Sequence, residues 1–119
     1  ADSFSYPSGH ATQGWAYALM MAALVPSRAT AILARGRAYG ESRVICGVHW
    51  LSDVAAGRTN GSSIFAALIG DAVFRADLDK ARAELARELA KPSSDEGKVP
   101  DQAVCTREAD SLKSFALEF

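Results

Sequence analysis

Cysteine is scarce in this sequence: Cys46 and Cys105 are the two among 119 residues. They stand too far apart for a zinc knuckle or a redox Cys-x-x-Cys, and one bridge is the most they permit. The alternatives are that bridge or two thiols, with Cys46 expected to be buried. Long apolar runs are missing as well. The longest nearly unbroken one, Ala16 to Val25, falls far short of the ~18 residues that cross a bilayer, so no membrane span is predicted. Residues Ala1 to Tyr6 have neither the basic nor the apolar stretch of a signal peptide, and such a segment is expected to have been removed or never present. Charge of one sign is lacking too: 13 basic against 14 acidic side chains give no electrostatic reason to bind nucleic acid. Nine glycines, four prolines and 49% hydrophobic residues exclude collagen-like, wholly disordered and disulfide-dense classes. What remains is one soluble globular domain at most.

No strand-like alternation persists and no internal repeat occurs, so the fold class is all-α. Ala11 to Val25 is rich in helix formers without internal proline, and Pro26-Ser27 breaks it and supplies an N-cap for a second helix. That helix is expected over Arg28 to Cys46, with Ile32, Leu33, Tyr39, Val44 and Ile45 toward one side and Gly47 as its stop. A third should start near His49 or Leu51 and run to Arg58, turn or kink at Thr59-Asn60-Gly61, and resume from Ser62 to Ile69. The turn is preferred over a glycosylation role for Asn60-Gly61-Ser62. Asp71 to Ala90 carries Val73, Phe74, Leu78, Ala81, Leu85 and Leu89 on an apolar stripe, opposite a solvated face where Glu84 can pair with Lys80 or Arg87 and Glu88 with Lys91. From Pro92 to Lys98 the chain turns polar and reads as a linker, followed by a short amphipathic segment with Leu112, Phe115, Ala116 and Phe119. The chain thus divides at residues 1–91 and 92–119. Trp15, Tyr17, Met20, Met21 and Trp50 are expected to pack.

Chemistry concentrates around the two histidines. His10 closes Tyr6-Pro7-Ser8-Gly9-His10 just before a helix; backbone N–H groups there point outward, and Gly9 lets an oxyanion approach the main chain. His49 lies in Ser42-Arg43-Val44-Ile45-Cys46-Gly47-Val48-His49-Trp50-Leu51-Ser52-Asp53, where His49 and Asp53 share a helix face if both are helical. Each feature alone has a structural explanation. Their joint spacing is too rare a coincidence for one short chain. A metal bound by His10, His49 and Asp53 would leave Arg43 beside a cation, so no metal is expected.

These two segments resemble the second and third signature motifs of the PAP2 / vanadium haloperoxidase superfamily. The wider wording, Ser-Tyr-Pro-Ser-Gly-His-Ala-Thr and Ser-Arg-Val-Ile-Cys-Gly-Val-His-Trp-Leu-Ser-Asp-Val, is similar to the bacterial class A non-specific acid phosphatases. The likeness covers residues 3 to about 90. It implies a helical bundle and a metal-independent, cofactor-free hydrolysis of phosphomonoesters. In that scheme His49 is the nucleophile, Asp53 orients it and His10 is the general acid. Arg43, Ser8 and Gly9 hold the phosphate, or vanadate in its place. The family is exported, which implies a periplasmic location.

The first motif of the family, Lys, six residues, Arg-Pro, is not in this sequence, where no lysine precedes Lys80. The resemblance therefore implies the C-terminal half of such a domain. An incomplete bundle leaves apolar faces open, and either a homo-oligomer or a complementary N-terminal chain is the expected partner. Loss of cations that act on transition-state charge implies a weak or inactive fragment. Two other readings stay in view: a vanadate-dependent haloperoxidase with His49 on the vanadium, and a non-catalytic fragment that binds phosphate or a protein.

Overall fold

The computed structural model describes residues 5–92 and 101–114, with side chains through 111. Among these residues the chain is helical without strands: α1 spans Gly9–Leu24, α2 Ala29–Ile45, α3 Leu51–Gly70, α4 Ala72–Leu89 and α5 Gln102–Ser114. The all-α expectation holds. Between α1 and α2, Pro26–Arg28 form a 3₁₀ turn, so α2 starts after Arg28 and has no side-chain cap from Ser27.

Helix α1 packs on both α2 and α3, and small residues set how closely. Ala11 and Ala18 are buried on α1. On the facing side of α3, a Cβ at Gly57 would lie 2.7 Å from the Ser8 carbonyl oxygen, and one at Gly61 would lie 2.6 Å from that of Thr12. Only hydrogen fits at either place. That contact explains why the expected turn at Thr59-Asn60-Gly61 does not form: α3 runs unbroken through it, with glycine serving packing rather than chain reversal. Glu41 is buried on α2 and accepts from Arg37 Nε at 2.6 Å and from Arg58 Nη1 of α3 at 3.4 Å, which ties α2 to α3 where their side chains meet less.

One residue joins α3 to α4: Asp71 caps the new helix by accepting from Phe74 N at 2.8 Å. Two arginines of α4 satisfy carbonyls that other helices leave open at their C-terminal ends. Arg75 donates to Ile69 O and Gly70 O at 2.7 and 2.9 Å, and Arg82 donates twice to Ala23 O of α1. Leu78 is the buried member of the α4 stripe, whereas Val73 and Leu89 are exposed, because among the described residues α4 meets only α1 and α3. On its outer face Lys91 pairs with Glu88 as expected, but Lys80 pairs with Asp77, not Glu84.

The apolar core among the described residues is thin: Ala11, Ala18, Val54 and Leu78. Tyr17, Met21 and Trp50, expected to pack, are exposed, as is Cys46 at the end of α2. Both cysteines are free thiols. Beyond the linker the structure adds a helix longer than the expected amphipathic segment: α5 begins at Gln102, well before Leu112, and Glu108 pairs with Arg35 of α2. Residues 93–98 of the linker and Phe115, Ala116 and Phe119 lie outside the described residues.

Candidate functional site

The site grows out of two helix ends. Helix α2 stops in a Schellman turn: Gly47 takes φ +71°, a left-handed conformation that glycine adopts without a Cβ penalty. Gly47 N then donates to Val44 O at 2.9 Å, and Val48 N to Arg43 O at 3.1 Å. His49 N also reaches Arg43 O, at 3.3 Å. The reversal therefore brings His49 back beside the last turn of α2, which carries Arg43. Helix α3 starts two residues after His49, and its third residue, Asp53, turns its carboxylate toward the N-cap, accepting from Trp50 N at 3.0 Å.

The condition for a shared helix face is not met, since α3 starts at Leu51 and His49 lies before it, yet the pair forms. His49 Nδ1 lies 3.4 Å from Asp53 Oδ2 because the carboxylate folds back over the helix start. An ionised carboxylate only accepts, so Nδ1 is the nitrogen that donates to it, and in the neutral ring Nε2 is the one with the lone pair. Asp53 is buried and also accepts from the Ser5 hydroxyl through Oδ2 and from Ser52 Oγ at 3.3 Å through Oδ1.

These donors hold the Asp53 carboxyl below the usual carboxylate range. The Ser5 hydroxyl contributes most, then the Trp50 N–H, against an upward push from burial, with His49 and Ser52 adding less. A carboxyl lowered in the folded state adds stability that is fully present above the unfolded value, about 4, and lost as pH falls through the folded one. Asp53→Asn is therefore expected to melt at a lower temperature than the parent near neutral pH, with the gap closing on acidification below about pH 4. Melting curves across that range check it.

Ser8 connects the second helix end. Its side chain is fully buried and caps α1, Oγ accepting from Ala11 N at 3.2 Å, while its backbone N donates to Asp53 O at 3.0 Å. The start of α1 is thereby fastened to the start of α3. Gly9 opens α1 with nothing within 4 Å of the place a Cβ would take, and the first N–H groups of a helix have no partner within it. His10 is exposed, its ring 6.4 Å from that of Tyr39. The Arg43 guanidinium stands 5.9 Å over the same Tyr39 ring, with Nε 3.3 Å from Ser42 Oγ. Among the described residues no carboxylate pairs with it.

The six residues singled out from sequence thus fall into two linked groups. Ser8, His49 and Asp53 are joined by hydrogen bonds, and Arg43 is joined to His49 through the main chain. Tyr39 links Arg43 to His10, and Gly9 adjoins His10 at the same helix start. No group of three or more metal-ligating side chains occurs among the described residues.

Residues 1–75 match the PAP2 superfamily. The chain belongs to that superfamily. This PAP2 chain is also 50% identical over 101 residues to an acid phosphatase of Zymomonas mobilis, covering 85% of this chain and 36% of that protein. It is 47% identical over 83 residues to a non-specific acid phosphatase of Providencia stuartii, covering 70% and 34% of the two. A non-specific acid phosphatase of Salmonella typhimurium is 48% identical over 81 residues, 68% and 32%. The chain spans about a third of the length of these curated relatives. Three residues of the PAP2 site region are not evident from the sequence. Ser5 and Glu41 carry no spacing signal of their own. Tyr39 reads as core from its apolar neighbours, although its place four residues before Arg43 puts it on the same face of α2.

Proposed function

We propose that this chain carries the nucleophile and the general acid of a metal-independent acid phosphatase acting on phosphomonoesters. The observation that supports this most is the His49–Asp53 pair, which leaves Nε2 free to attack. In this reading Nε2 bonds to phosphorus as the ester oxygen departs, and His10 gives that oxygen its proton. Water then attacks the phosphohistidine, losing a proton to His10, and inorganic phosphate leaves. His10 must start protonated and His49 neutral, which favours an acidic to near-neutral working range. Arg43 and the N–H groups at Gly9 balance charge on the phosphoryl oxygens, the part a cation takes elsewhere, while the buried Ser8 hydroxyl caps the helix that presents those N–H groups. The same reading makes the protein periplasmic.

Its partner is proposed to be polypeptide, a second copy or a complementary N-terminal segment. Supporting this is an open apolar groove of about 590 Å³ between α1 and α2, walled by Tyr17, Met21, Ile32 and Tyr39.

Hydrolysis of nitrophenyl phosphate and of an alkyl phosphate, with chelator present, tests the reading. The comparison is between this chain and a longer polypeptide with a Lys-x6-Arg-Pro segment ahead of it. The longer one is expected to turn over both esters and the chain alone to be much slower. His10→Ala should slow the first turnover of the alkyl ester about 10²- to 10³-fold and leave that of the nitrophenyl ester, whose leaving group departs without a proton, much less affected, while hydrolysis of the phosphohistidine slows for both. No hydrolysis by either polypeptide, or hydrolysis abolished by the chelator, overturns the proposal.

A further inference from the structure

Ser5 takes no part in the proposed phosphoryl transfer, yet its hydroxyl stands between the two groups that matter most. It donates to Asp53 Oδ2, and its oxygen is 3.5 Å from His49 Nδ1. His49 Nδ1 thus sits in a notch between Asp53 Oδ2, at 3.4 Å, and Ser5 Oγ. The segment that carries Ser5 grips Asp53 twice, by the Ser5 side chain and by the backbone N–H of Ser8. Without Ser5, the Trp50 N–H, the Ser52 hydroxyl and the His49 ring would be the remaining donors to the carboxylate. Those three come from α3 and the residues just before it, so among the described residues Ser5 is the one side-chain donor that arrives from the α1 side.

We infer that Ser5 is a positioning residue, whose hydroxyl sets the Asp53 carboxylate against His49 and so couples the Ser8-Gly9-His10 helix start to the nucleophile. The functional meaning of this inference rests on the phosphatase reading; the placement of Ser5 does not. His49 is the titratable side chain bonded to Asp53 among the described residues, and Asp53 is itself a reporter. Removing its strongest donor should let its carboxyl titrate closer to the ordinary range.

The test follows the Asp53 carboxyl carbon by NMR through an acid titration of the parent chain, Ser5→Ala and Ser5→Thr, with Asp53→Asn to assign the signal. Ser5→Ala is expected to move the midpoint upward and Ser5→Thr, which keeps a hydroxyl, to hold it near the parent. An unmoved midpoint in Ser5→Ala, or equal displacement in both variants, overturns the inference. In the longer, active polypeptide Ser5→Ala should lower kcat roughly tenfold, as loss of one hydrogen bond to a charged group does, with KM little changed and Ser5→Thr close to the parent. A midpoint that moves as expected in a protein without hydrolytic activity supports the placement of Ser5 and counts against the phosphatase reading alone.

Discussion

If His49 is the nucleophile, as proposed, its replacement with alanine is expected to lower phosphoryl transfer by the longer polypeptide by on the order of 10⁴-fold or more, the scale on which enzymes lose turnover when a covalent nucleophile is removed. No substitute stands ready beside it. The Ser5 hydroxyl is committed to Asp53 and meets the ring at Nδ1, not at the attacking Nε2. Asp53 has its oxygens occupied by Ser5, Trp50, Ser52 and His49. Imidazole is suited to the step because Asp53 fixes the proton on Nδ1 and stabilises the positive charge that grows on the ring as Nε2 bonds to phosphorus. A phosphorus–nitrogen bond of this kind survives alkali and breaks in acid. Labelled phosphate should therefore stay with the longer polypeptide after an alkaline quench, disappear after an acid quench, and be absent from His49→Ala under both. Label retained by His49→Ala would place the covalent chemistry elsewhere. Asp53→Asn keeps the nucleophile but frees its tautomer, and a loss of about 10²- to 10⁴-fold is expected.

Helix by helix, the features legible in advance are those that depend on neighbours in sequence. Proline at 26, glycine at 47 and aspartate at 71 mark helix ends by local backbone chemistry, and the structure breaks at each of them. Gly61 belongs to a different class. Its local signal, Asn-Gly, is that of a turn, and only the main chain of α1 lying against it makes it a helical residue. Cys46 and Trp50 depart from expectation for a related reason: hydrophobicity says that a side chain prefers cover, not that this chain supplies it. The site is legible because Pro-Ser-Gly-His and Ser-Arg with His49 and Asp53 are constrained by chemistry at fixed spacing. Ser5 and Tyr39 act through distance in space, Ser5 on a residue 48 positions away, and no periodicity records that.

The contact between α1 and α3 is the feature on which both the fold and the site depend, and Gly57 is its most sensitive point. A Cβ there meets the Ser8 carbonyl oxygen at 2.7 Å, the Ala11 Cβ at 2.8 Å and the Thr12 nitrogen at 3.2 Å. Two of the three are main-chain atoms and the third is fixed to the main chain, so no rotamer change can make room. Within an isolated helix, alanine is favoured over glycine by about 1 kcal/mol. Here that gain is opposed by overpacking, which typically costs about 1–3 kcal/mol and more when backbone must shift. Overpacking is expected to win, with Gly57→Ala destabilised by roughly 2 kcal/mol and Gly57→Val by more. Relief requires α1 to move off α3, which stretches the 3.0 Å bond from Ser8 N to Asp53 O and carries Ser5 away from the carboxylate. Activity in the longer polypeptide should therefore fall alongside stability, although Gly57 touches neither histidine. Gly70 provides the control: it ends α3 with nothing within 4 Å of the place a Cβ would take, so Gly70→Ala should stay within about 0.5 kcal/mol of the parent or gain stability. Chemical denaturation of the three variants reads the difference. A Gly57→Ala protein as stable as Gly70→Ala would mean that the two helices do not meet at glycine distance, and the coupling of Ser8 to Asp53 would have to be sought in some other contact.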